Sequence, residues 1–160
     1  MMKPASVKEL KDELKHRSPR ELLEIVLRLS RFKKENKELL TYLLFSAADE
    51  EGYIEAVKQE MDEQFQEINR SSYYFMKKSM RKILRNVKKF SRYSGKKETE
   101  TELLIYYLQK MDSFSPSIHR NKTLQNLFDR QLALVKKNIP KLHEDLQYDL
   151  NLELEKLSRE

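Results

Sequence analysis

Residues 73 to 92 constrain this chain most, because twenty consecutive residues divide cleanly on a helical wheel. At about 100° per residue, with Lys77 as origin, Lys88, Arg81, Arg92, Arg85, Lys78, Lys89 and Lys82 fall within about 140°. Met76, Met80, Ile83, Leu84 and Val87, with Phe75 and Phe90, take the other side. One long amphipathic helix results, apolar on one side and uniformly cationic on the other. Its apolar side must be buried, so other helices or sheets have to be built against it.

Little in the chain suits sheets. Two Gly and four Pro in 160 residues, with 36% charged residues, leave few turn formers for a β protein. Strand-like alternation is absent throughout. The sequence therefore predicts an all-α fold of seven or eight helices in an antiparallel helical array, either a bundle or a short α-α superhelix. One domain over 1–160 is the expected organisation, with a hinge at 92–97 separating 1–91 from 98–160. Gly95 and the Lys96-Lys97 pair mark that segment as flexible and protease-sensitive.

Capping residues place the other helices. Ser6 and Glu9 form a capping box for a helix over 7–16, and Ser18, Pro19 and Glu21 start one that runs to about Ser30. A third is predicted from about Asn36 to Ala48. Its Leu39, Leu40, Tyr42, Leu43, Leu44 and Phe45 surround the axis, so it is expected at the centre of the N-terminal half. A fourth, 50–68, presents a stripe of Ile54, Val57, Met61, Phe65 and Ile68. After the basic helix come 98–112, then 119–138 ending before Pro140, and finally 141–157.

Charge is segregated along the chain. Residues 49–69 hold eight acids and one Lys, whereas 70–97 hold eleven Lys or Arg and no acid. The two helices should meet through their apolar stripes, which turns both charged faces outward. The basic face is then met by another acidic element, by solvent, or by an external anionic partner. Its candidate binding residues are Lys77, Lys78, Arg81, Lys82, Arg85, Lys88, Lys89 and Arg92. An acidic protein surface is the first expected partner and the DNA or RNA backbone the second. For the latter, up to eight cations along about 25 Å suit phosphate contacts, with Tyr74 inside the arc. Base reading has little to work with there, so such binding would be weakly sequence-specific.

A second stretch gathers polar groups around Leu124, Leu127 and Phe128. His119, Arg120, Asn126, Asp129 and Arg130 read foremost as an inter-helix polar network. The functional alternative is a polar groove facing Tyr106 and Tyr107. Catalytic signals are sparse: the three His are scattered, and His143-Glu144-Asp145-Leu146-Gln147 has Gln where a zinc-protease helix needs its second His. No Gly-rich phosphate loop is present. The expectation is a non-enzymatic binding or adaptor protein without cofactor or metal. With no Cys, no signal-peptide core at Met1-Met2-Lys3-Pro4 and no transmembrane-length apolar run, a cytoplasmic location is expected.

Two resemblances accompany these readings. Val7-Lys8-Glu9-Leu10-Lys11-Asp12-Glu13-Leu14 followed by Pro19-Arg20-Glu21-Leu22-Leu23 resembles the helical hairpin of SAP-type DNA-binding motifs. Here the connection is His16-Arg17-Ser18-Pro19 in place of that motif's glycine-containing turn, with Arg28-Leu29 downstream. The order of segments, with the Lys8–Leu14 start, the Lys77–Lys89 helix and His119-Arg120-Asn121-Lys122-Thr123-Leu124, is similar to an uncharacterised family of small all-helical bacterial proteins. That likeness implies the fold and no activity.

Overall fold

The computed structural model describes residues 1–157. Eight α-helices and no strand occur among them: α1 Val7–Leu14, α2 Pro19–Phe32, α3 Lys34–Thr41, α4 Glu50–Gln66, α5 Tyr73–Ser94, α6 Lys97–Asp112, α7 Lys122–Asn138 and α8 Glu144–Glu155. The fold is all-α. By its internal contacts the chain forms two compact units, Met1–Phe45 and Ser46–Glu160.

In the first unit the N-caps are Ser6 and Ser18, but the box expected at Ser6 is half formed, since the Glu9 carboxylate takes the Ser6 hydroxyl at 3.1 Å and not its N–H. Ser6 Oγ accepts from the Glu9 N–H. Ser18 and Glu21 complete a reciprocal capping box behind Pro19, satisfying two N–H groups that the first turn leaves without helical partners. α2 and α3 are separated by a single extended residue, Lys33. They form a hairpin clasped by the Asn36 side chain, which donates to the Leu29 carbonyl at 2.8 Å. Asn36 thus lies inside α3, not at its start. The ladder then widens to a π turn over Tyr42–Ser46.

The expected central burial of 36–48 is not what forms. Leu43, Leu44 and Phe45 are 56%, 65% and 79% exposed. A helix apolar all round needs neighbours on every side, and within this unit only α2 lies against α3. Only Ser30 and Tyr42 are buried among its described residues.

The second unit holds the core. Here α6 takes the central place, packed by α4, α5, α7 and α8. Leu103, Leu104, Tyr107, Leu108 and Met111 are fully inaccessible or nearly so. The α4 stripe of Ile54, Val57, Met61 and Phe65 and the α5 stripe of Met76, Met80, Ile83, Leu84 and Val87 close on it. Burying each such side chain is worth about 2 kcal/mol, which makes this cluster the main stabilising element. The Tyr107 hydroxyl spans the core to donate to the Met80 carbonyl at 2.8 Å, and burial pushes its pKa well above the usual phenol value.

The segment 92–97, expected as a hinge, lies inside this second unit. α5 ends at Ser94, and Gly95 supplies the left-handed residue (φ 71°) that lets the chain reverse into α6. Glu50, in the first turn of α4, takes hydrogen bonds from Ser94 Oγ (2.5 Å) and Thr99 Oγ1 (2.8 Å), with Lys96 Nζ at 3.8 Å. One carboxylate therefore ties down both sides of the turn. At the other end of α5, Arg70 donates to the Ser115 carbonyl (2.7 Å) and covers the Phe114 ring. The Tyr73 hydroxyl donates to the Ser117 carbonyl (2.8 Å). α5 is held at both ends.

Candidate anion-binding face

With its stripe in the core, α5 turns its cations outward. Lys78, Arg81, Lys82, Arg85, Lys88 and Arg92 are exposed, spaced three and four apart so that they form one band. Lys77 and Lys89 border the apolar side and are half-buried. Lys89 lies with its ammonium 5.3 Å from the centroid of the Phe90 ring. Among the described residues, none of Lys77, Lys78, Arg81, Lys82, Arg85, Lys88 and Arg92 forms an ion pair.

Several acids of α4, α6 and α8 are engaged elsewhere. Glu102 holds Lys58 at 3.1 Å, with Glu55 on the same ammonium at 3.8 Å. Asp62 takes Lys110 at 2.8 Å and the Tyr106 hydroxyl at 2.6 Å. Burial pushes the Asp62 carboxyl up, but the bonds from Lys110 and Tyr106 outweigh it and hold it below the usual range. Glu100 accepts from Asn138, and Glu153 from Gln109 and Lys156. The bond from Lys156, then that from Gln109, lowers the Glu153 pKa. Lys77, Lys78, Arg81, Lys82, Arg85, Lys88 and Arg92 thus keep their charge without a carboxylate partner among the described residues.

At the N-terminal end of the band two aromatic side chains stand open. Tyr74 is 65% exposed, as its place in the cationic arc predicts. Phe75, expected in the core, is 43% exposed and meets Tyr74 edge to face at 5.4 Å. It sits on the margin of the apolar arc, in the first turn of α5. Phe90, expected in the core as well, is partly buried against it.

The polar stretch divides. His119 is nearly enclosed between Asp112, at 2.7 Å from Nε2, and Gln125, whose Oε1 meets Nδ1. Gln125 in turn donates to Asp129 at 2.9 Å. The chain Asp112–His119–Gln125–Asp129 fastens the end of α6 to the start of α7. Arg120, Asn126 and Arg130 are exposed and do not join it. Tyr106 and Tyr107 turn away, towards Asp62 and the Met80 carbonyl. Gln131, one of the polar residues of this stretch, is buried with its Oε1 unpartnered among the described residues.

Sequence reading missed an open groove of about 810 Å³ between α4, α6 and α8, lined among others by Lys58, Glu102, Tyr106, Gln109 and Glu153. Its polar groups satisfy one another across the helices, at sequence separations near 44. No local spacing announces such pairs. Among the described residues no three His, Asp or Glu side chains converge as metal ligands. No helix of the described chain is long and apolar enough to cross a membrane. Comparison with protein-family models, curated proteins and solved structures finds no match to this chain.

Proposed function

We propose that this chain is a non-enzymatic binding or adaptor protein, and that the outer face of α5 docks an acidic protein surface. The observation that carries this reading is the outward band of Lys78, Arg81, Lys82, Arg85, Lys88 and Arg92, none of which forms an ion pair among the described residues. Holding so many like charges together costs self-repulsion that an acidic partner relieves. Tyr74 and Phe75 supply aromatic anchors at the N-terminal end of the helix that carries Arg81 and Arg85, the residue types enriched where protein interfaces concentrate their affinity.

A second reading, binding to a nucleic-acid backbone, draws on a different detail. From Arg81 to Arg92 the outer face carries no exposed large apolar side chain, which suits a polyelectrolyte better than a dry interface core.

Titrating labelled duplex DNA, duplex RNA and a Glu-rich peptide bearing Leu and Phe anchors, at about 50 and about 200 mM salt, separates the two. The first reading expects the peptide to bind at both salts, and binding to fall about tenfold or more in Tyr74→Ala and in Lys78→Glu/Arg85→Glu. Duplex binding that collapses by orders of magnitude with salt, indifferent to Tyr74→Ala, would replace it with the second. No binding of any probe at the lower salt would remove α5 as a docking face.

A further inference from the structure

On its outward side α4 carries the charge pattern that the α5 face would meet. Glu51, Glu55, Glu60 and Glu63 are exposed, as is Glu67 at the C-cap. With Ile54 as origin at about 100° per residue, these acids fall between about 60° and about 240°. The buried stripe of Ile54, Val57, Met61 and Phe65 takes the opposite side, from about 300° to about 20°. Glu51, Glu60, Glu63 and Glu67 form no ion pair among the described residues. Glu55 has Lys58 at 3.8 Å, but that ammonium is drawn inward to Glu102 at 3.1 Å.

The α4 and α5 faces match in length and in spacing. Glu51 to Glu67 spans about 24 Å and Lys78 to Arg92 about 21 Å, at about 1.5 Å per residue. Both carry a charge on nearly every turn: acids at 51, 55, 60, 63 and 67, cations at 78, 81, 85, 88 and 92. Within one chain the two faces do not meet. α4, α5 and α6 pack pairwise, so the sides of α4 and α5 opposite their buried stripes point apart. Two α5 faces repel each other, as do two α4 faces, and a favourable contact between copies therefore joins unlike faces. Such a contact is heterologous: a neighbour docked on α5 leaves the α4 face open to the next copy.

We propose, resting on the reading of α5 as a docking face, that its partner is the α4 face of a second copy of this chain. Exposed ion pairs are individually weak and screened by salt. Self-association by this contact needs several pairs at once and is salt-sensitive.

Sedimentation equilibrium of the whole chain from about 1 to about 100 µM, at about 50 and about 200 mM salt, tests this with two charge reversals. Lys78→Glu/Arg85→Glu reverses part of the α5 band. Glu63→Lys/Glu67→Lys reverses the C-terminal end of α4, where cations suit the helix dipole. All four positions are exposed, and unchanged helicity by circular dichroism verifies each fold. The native chain is expected to self-associate at the lower salt and roughly tenfold or more weakly at the higher. Each variant alone should lose roughly tenfold or more in association at the lower salt. An equimolar mixture of the two should recover it, because acids placed on α5 of one meet lysines placed on α4 of the other. A native chain that stays monomeric at the lower salt would overturn the second copy as occupant. If that monomer binds the Glu-rich peptide, α5 keeps its docking role with a foreign acidic protein; if it binds no probe, the α5 reading falls as well. Self-association that both variants retain, or that the mixture fails to restore, would overturn the pairing of α4 with α5.

Discussion

Asp62 shows how much a single side chain can join. Its carboxylate takes the Tyr106 hydroxyl and the Lys110 ammonium, linking α4 to α6, and these bonds hold its pKa below the ordinary value. A carboxyl with a depressed folded-state pKa contributes stability that is present above its unfolded value of about 4 and lost as pH falls through the folded value. Asp62→Asn should therefore cost about 1 kcal/mol near neutrality, a figure discounted for an oxygen pair about one-third exposed. The cost should shrink towards zero by about pH 2, as urea unfolding at both pH values would reveal. Gln131 makes the opposite case. Its buried Oε1 has no partner among the described residues, so Gln131→Met removes a desolvation cost at similar volume and should stabilise by about 1 kcal/mol in the same assay. The sequence marked both residues as polar on helices. It could not mark one as bridging and the other as unsatisfied, because that depends on partners brought near only by folding.

Among the elements, α5 is the most legible and its flanking turns the least. A wheel drawn from the sequence places Met76, Met80, Ile83, Leu84 and Val87 on the buried side and Lys78, Arg81, Lys82, Arg85, Lys88 and Arg92 on the exposed side, with Lys77, Lys89 and Phe90 between. It misplaces Phe75, since periodicity assumes a neighbour along the whole stripe. The turn at 92–97 reads as flexible from Gly95 and its lysines, yet Glu50 binds Ser94 and Thr99 across it. Glu50→Gln weakens both charge-assisted bonds and the contact with Lys96. Limited trypsin digestion should cut that variant after Lys96 or Lys97 several-fold faster than the native chain. Equal cutting rates would mean that Gly95 geometry alone keeps the turn closed. The N-cap residues of α1 and α2 and the full box of α2 were readable, because a capping box is a contact between residues three apart and needs no tertiary structure.

At the scale of the whole molecule, the two units differ in kind. The core cluster runs from Ile54 to Leu157 and lies wholly in the second unit, while the first buries little. A fragment spanning 46–160 should then unfold cooperatively, with a midpoint within about 5 °C of the whole chain by calorimetry. A non-cooperative fragment would assign the first unit a structural role. The net charge of +6 conceals a molecule whose basic face and apolar face belong to different units, each suited to a different kind of contact.

By itself the sequence determined the helical class, the caps of the first helices, the position of α5 and the segregation of its charge. These follow from residues at most four apart, or from a periodicity that a lone helix already expresses. Only the tertiary structure decided that α6 is the central helix of the second unit and that Leu43, Leu44 and Phe45 are exposed. The same holds for Glu102 and Asp62, which pair with Lys58 and Lys110, while Lys78, Arg81, Lys82, Arg85, Lys88 and Arg92 of α5 form no ion pair among the described residues. Burial and ion pairing belong to the arrangement of neighbours, and two helices with the same stripe meet opposite fates when one is surrounded and the other is not.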